Sequence, residues 1–135
     1  MIRVLAVPPD DVTGAVRILE QFVELMFSRG SSGCDPCRVV HDACRNKAVM
    51  WVIADDKTPL GVAFTQTELW IEGKRLRIVG VAGTQMAKWL RTFTDEMKKH
   101  ARDEGCEKLV AEGRLGWAKV LGLKPVRTVI EMEAV

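Results

Sequence analysis

The chain has 135 residues, 47% of them hydrophobic and 28% charged, enough for one domain over 1–135 with a core of its own. A formal net charge of +2, with acids and bases interleaved, argues against nucleic-acid and membrane partners, and no apolar run reaches the length of a membrane span. Four cysteines make no disulfide framework at this length, so a reduced, cytoplasmic setting is expected.

The opening "IRVLAV" (2–7) reads as a short strand closed by Pro8 and Pro9, too short an apolar run for a signal peptide. Asp10 is a natural N-cap, and Val12, Ala15, Val16, Leu19, Phe22, Val23 and Met26 recur at helical spacing, predicting an amphipathic helix over 11–28. "SRGSSG" breaks it. Asp35 followed by Pro36 opens a short helix to about Asn46. "KAVMWVIAD", "LGVAFTQTELW" and "RLRIVGVA" read as three strands joined by the turns "DDKTP" and "IEGK", an antiparallel meander by the shortness of the connections. A long helix follows over 84–104, with Met86, Leu90, Phe93, Met97 and Ala101 inside and Lys88, Arg91, Asp95, Lys98 and Arg102 outside. Gly105 stops it. "EKLVAE" is a strand, "RLGWAKVLG" a short helix, and "PVRTVIEMEA" a last strand with Pro125 at its start. The order β-α-α-β-β-β-α-β-α-β is that of a single-domain mixed α/β sheet with helices on its faces.

This order resembles the GNAT superfamily, the acyl-CoA-dependent N-acyltransferases. The likeness rests on "VPPDDVTGAVRIL" as the opening strand and first helix, and on "AVMWVIADDKTPLGVAFTQTELW" as the second and third strands. It also rests on "ARDEGCEKLVAE" around the end of the long helix and "GRLGWAKVLGLKPV" as the last helix. The "GRLGW" piece and the short length look most like the small GNAT-like proteins encoded by bacteriophages.

The resemblance implies a loop of the form Q/R-x-x-G-x-G/A between the fourth strand and the long helix, whose backbone N–H groups hold the coenzyme pyrophosphate. Glycine is wanted there because side chains block the approach. Two registers can be tried. Literally, Arg77, Gly80 and Ala82 fit the pattern, and a working loop would run from Gly80 through Ala82, Gly83, Thr84 and Gln85. In that case Gly83→Trp would abolish coenzyme binding without unfolding the chain. Counting back from Gly105 by the family's spacing instead places Gln85, Lys88 and Leu90 on the three defined positions, with both small residues lost. Gly80 would then mark a bulge or a close strand contact.

The resemblance also implies a tyrosine as general acid before the closing leucine-glycine. Aligned on Leu121 and Gly122, Trp117 and Ala118 take the aromatic pair's places, and the chain has no tyrosine at all. Cys106, His100 or water would have to replace it. Glu68, Glu72 and Glu112 lie near strand ends, where a carboxylate could deprotonate an amine, or where each is simply a solvated charge.

"CDPCRVVHDAC" holds Cys34, Cys37, His41 and Cys44 in a zinc-like string. A helix from Pro36 separates Cys37 from Cys44 by about 10 Å along its axis, too far for one ion. Cys37, Val40 and Cys44 then form a buried stripe, and no metal is expected. "EGKRLR" (72–77) reads as a solvated hairpin edge that resists strand pairing, and Arg114 and Trp117 as either core or contact surface.

Two functions remain open. In the first, the chain is a GNAT-fold protein with a degenerate cradle and no cofactor, a non-catalytic interaction or structural module with a protein partner or a second copy, phage-encoded and part of an assembly in host cytoplasm or virion. In the second, it is an acetyl-CoA-dependent N-acetyltransferase acting on a primary amine. Filling of the cleft between the fourth and fifth strands by Lys88 or Trp89 would mark the first.

Overall fold

The computed structural model describes residues 1–28 and 36–111. The predicted closing helix and strand, with Arg114, Trp117, Ala118, Leu121, Gly122 and Pro125, lie outside the described residues, as do Cys34, Asp35 and Glu112. In chain order come β1 (Ile2–Val7), a 3-10 turn (Pro9–Asp11), α1 (Val12–Ile18), α2 (Glu20–Ser28) and α3 (Pro36–Cys44). Then follow β2 (Val49–Asp55), β3 (Thr58–Trp70), β4 (Gly73–Gly83), α4 (Met86–Asp103) and β5 (Lys108–Ala111). The sheet runs β1-β2-β3-β4-β5, with every neighbour antiparallel except the parallel pair β4–β5.

Period-two alternation sorts the strands into two buried faces. Met50, Val62, Phe64, Val79 and Ala82 pack with Val12, Leu19, Phe22, Val23, Met26, Val39 and Ala43 of α1, α2 and α3. Trp51, Ile53, Ala63, Ile78 and Val81 pack with Trp89, Phe93 and Met97 of α4. The sheet is a central layer between α1–α3 and α4. Within it the buried Thr65 hydroxyl accepts the Trp51 indole N–H at 2.9 Å. No helix among the described residues is long and apolar enough to cross a membrane.

Several expectations are corrected. The helix over 11–28 is two helices broken at Leu19 (φ −107°, ψ 23°). The Leu19 side chain is buried with Phe22 and Val23, and its carbonyl takes the N–H groups of both. Gly14 and the β-branched Thr13 and Val16 leave α1 with little propensity to resist that break. Asp10 is no cap: it lies inside the 3-10 turn, whose fixed φ comes from Pro9. On α3 the buried positions are Val39 and Ala43, while Cys37 and His41 are exposed and Val40 and Cys44 only partly covered. The small Ala43 lets α3 sit closely on the core, and the expected cysteine stripe is displaced by one position. On α4 the fully buried row is Trp89, Phe93, Met97 and Ala101, with Met86 and Leu90 at its margin.

The long helix ends as its sequence predicts. Gly105 has φ +73°, its N–H bonds the Arg102 carbonyl, and the Cys106 N–H bonds the Ala101 carbonyl. Those paired bonds are a Schellman cap.

Candidate functional site

β4 carries an extra residue at one place. Thr65 of β3 pairs with Ile78 and Phe64 with Gly80, so Val79 is bulged. Ile78 is also the last β4 residue paired with β5 among the described residues, opposite Ala111. A bulge bends its strand and raises the local twist, and here it follows directly on that pair. Val79 packs into the α1–α3 core, and a Cβ placed on Gly80 would meet Met26 Sδ at 2.6 Å and Cγ at 2.7 Å, so both residues face α2.

Beyond the bulge β4 stays paired with β3 through Gly83, and the Thr84 N–H bonds the Leu60 carbonyl at 2.8 Å. Antiparallel bonding alternates along a strand. It therefore turns the N–H and C=O groups of Val81 and Gly83 away from β3, toward the side of β4 on which β5 pairs with Arg75 to Ile78.

Only Thr84 and Gln85 join β4 to α4. The Thr84 carbonyl accepts the indole N–H of Trp89 at 2.7 Å, so both peptide groups of Thr84 are used internally. Trp89 is wholly buried and lies against Gly61 and Gly83. A Cβ on Gly61 would stand 2.7 Å from the Ala82 carbonyl oxygen, and one on Gly83 would overlap the Leu60 carbonyl oxygen and come within 3.0 Å of the Trp89 ring. Gln85 adopts the left-handed conformation (φ 54°, ψ 43°) before helical Met86. That sequence turns successive N–H groups to one side, and the first turn of a helix has no intrahelical acceptors for them.

The predicted loop residues are therefore divided. Gly80, Ala82 and Gly83 belong to β4, not to a loop, because the strand continues until Trp89 has closed under it. Thr84 and Gln85 alone form the connection. In the other register Lys88 and Leu90 lie inside the first turns of α4. Gly83→Trp would not spare the fold, since even a methyl group there strikes backbone. Trp89, expected in one reading to fill the cleft, is missing from the predicted buried row of the helix, and it belongs there. Its signal was the row 89, 93, 97, 101, at strict four-residue spacing.

On the β2 side of α4 lies an open depression of about 500 Å³ lined by Asp55, Asp56, Lys57, Thr58, Leu60, Gln85 and Lys88. Lys88 Nζ reaches Asp55 Oδ2 at 2.6 Å, and the Met1 amino group reaches Asp55 Oδ1 at 2.8 Å. The Lys88 hydrogen bond, and after it that of the amino group, holds the Asp55 carboxyl down to about 2. Lys88 is thus drawn to β2, and Trp89 is accounted for by β3 and β4.

Glu68 is no solvated charge. It takes the Trp70 indole N–H at 2.9 Å and stands 3.4 Å from the Arg77 guanidinium. Arg75 lies 4.1 Å over the Trp70 ring and bonds Glu72 at 2.6 Å, while Lys74 Nζ donates to the Glu104 carbonyl at 2.8 Å. The basic run over 72–77 is accordingly not an exposed edge: Arg75 is buried, and β5 pairs alongside it. Cys106 is buried against Leu76 and Ala101, and His100 stands edge-on to Trp51 at 4.9 Å. No group of three His, Cys, Asp or Glu placed to hold a metal occurs among the described residues.

No family model matches the sequence, and no curated protein matches it. Solved structures do. An aminoglycoside N-acetyltransferase, AAC(6')-Iy in complex with CoA, superposes with a TM-score of 0.72 at 9% identity, over 98% of this chain and 94% of its own. A GCN5-related N-acetyltransferase from Ralstonia eutropha JMP134 gives 0.72 at 13% identity over 100% of both chains. Glucosamine-6-phosphate N-acetyltransferase from Arabidopsis thaliana gives 0.62 at 14% identity, over 100% of this chain and 99% of its own. The fold is therefore the GNAT fold. The likeness to phage-encoded members gains no support from these structures, and neither does a non-catalytic role.

Proposed function

We propose that this chain is an N-acetyltransferase that takes an acetyl group from acetyl-CoA lying along the outer edge of β4 and passes it to a primary amine. The bulge at Val79, directly after the last described pair between β4 and β5, carries the reading. Beyond it the peptide groups of Val81 and Gly83 point away from β3, an orientation that suits the amides of a pantetheine arm. The acetyltransferases that share the fold, one of them in complex with CoA, favour the same reading.

In the reaction the amine nitrogen attacks the thioester carbonyl, the C–N bond forms, the C–S bond breaks, and the proton lost by the amine ends on the departing thiolate. Outward N–H groups of the edge are donors of the kind that stabilise a developing oxyanion. The chain has no tyrosine, so the proton returns to sulfur by another route. Glu68 is engaged by Arg77 and Trp70, which suits it to hold a cationic acceptor rather than to take a proton.

Calorimetric titration of acetyl-CoA, with desulfo-CoA as second ligand, tests the reading. Saturable micromolar binding is expected, followed by thiol release when amines are supplied. Absence of heat and of any thermal shift at millimolar coenzyme would overturn it.

A further inference from the structure

We propose that the outward face of α3 is a docking surface for an acidic polypeptide segment. Arg38, His41 and Arg45 recur at three- and four-residue spacing, which puts them on one side of the helix over about 10 Å. Arg45 stays on that side because its N–H still bonds the His41 carbonyl, at 3.1 Å. Lys47 follows, and all four residues are exposed. Arg38, Arg45 and Lys47 form no ion pair among the described residues. Asp42, the one carboxylate between them in sequence, is half-buried and accepts the Gln66 amide N–H at 3.4 Å. Two ordinary causes of a basic stripe do not account for this one. Cations suit the last turn of a helix, but Arg38 stands in the first, where the macrodipole disfavours it. Surface charge that serves only solubility mixes its signs, as on α4, where exposed Arg91, Lys98 and Arg102 alternate with Asp95 and Asp103. On α3 no acid is exposed among the described residues.

The surroundings of the stripe select the partner. A helix that binds a lipid surface presents apolar residues beside its cations, whereas Val39 and Ala43 of α3 are spent in the core. A nucleic acid presents a long lattice of phosphates. The turn Pro9–Asp11 packs beside α3 and exposes Asp10 and Asp11, which repel such a lattice as it extends past the stripe. A short run of Asp or Glu matches the stripe in length, and its carboxylates suit the guanidinium groups of Arg38 and Arg45.

Titration of the whole chain with decaglutamate, with phosphatidylserine vesicles and with a DNA duplex tests this. Saturable binding of decaglutamate at low salt is expected, weakening as salt is raised, with the vesicles and the duplex bound less tightly. Arg38→Glu together with Arg45→Glu should weaken decaglutamate binding by about tenfold or more. Arg38→Gln with Arg45→Gln, which removes charge without reversing it, should act in the same direction. Arg91→Glu with Lys98→Glu on α4 should leave the affinity unchanged, and circular dichroism checks that each variant folds. Absence of saturable peptide binding overturns the proposal, as does tighter binding of the vesicles or the duplex. So does an α3 variant that binds as the native chain does, or an equal loss from the α4 variant.

Discussion

Trp89 joins three parts of the site with one side chain: it fills the space over Gly61 and Gly83, stands edge-on to Phe93, and bonds the Thr84 carbonyl. Trp89→Phe keeps most of the ring but leaves that carbonyl without its donor, a loss of about 1–3 kcal/mol. Trp89→Ala opens a cavity under the sheet and costs about 3–5 kcal/mol. Denaturant midpoints at constant slope check both values. Gly80 is constrained from the other side. Gly80→Ala drives a methyl group against Met26, and overpacking of that kind costs about 1–3 kcal/mol. Because the obstacle is a flexible side chain, Met26→Ala in the same molecule should return part of the loss. A double-mutant cycle showing additive effects instead would mean that the glycine serves something other than this contact.

At the level of elements, local chemistry was the legible part. The stop of α4 at Gly105 followed from one residue type, and the structure gives that residue a left-handed φ with open space around its missing Cβ. Gly105→Ala should therefore cost about 1–2 kcal/mol through backbone conformation alone, read as a lowered Tm with an unchanged fold by circular dichroism. Strands bounded by turns and prolines were legible for the same reason. Features set by pairing between distant segments were not. The bulge at Val79 depends on how Phe64 and Thr65 meet β4, so Gly80 pointed to a bulge or close strand contact without excluding a phosphate loop. The break at Leu19 and the one-position shift of the buried row on α3 are likewise settled by what the helices pack against. On α4, Met86 and Leu90 fit the apolar period as well as Trp89 does, and only the depth of the space over Gly61 and Gly83 selects the tryptophan. Lys74, Arg75 and Arg77 looked like solvated charge because their partners, Glu104, Trp70 and Glu68, occupy other elements or the opposite side of the hairpin.

For the whole molecule, the Asp55 cluster ties the β2–β3 turn to the start of α4 and to the beginning of the chain. The folded-state pKa of Asp55 is lowered from 3.8 to about 2. Its contribution to stability is thus present above the unfolded value and is lost as pH falls from about 4 through about 2. Tm measured across that interval should fall more steeply for the native chain than for Asp55→Asn, and the difference should shrink in high salt because the cluster is partly exposed. Equal slopes would show that the pair adds nothing measurable.

Among the described residues the spatial order of the strands repeats their order along the chain, and this bears on how the molecule assembles. β2, β3 and β4 follow one another through short turns, so their pairing closes small loops and can propagate from the long β3–β4 hairpin as a nucleus. β1 meets β2 only after α1, α2 and α3 have been bridged, and β5 meets β4 only after α4 has formed. Closing those two larger loops is the entropically costly part. Folding is thus expected to have a transition state with a built centre and unformed margins. Mutations in the hairpin should slow refolding, whereas those in β1 or β5 should chiefly hasten unfolding.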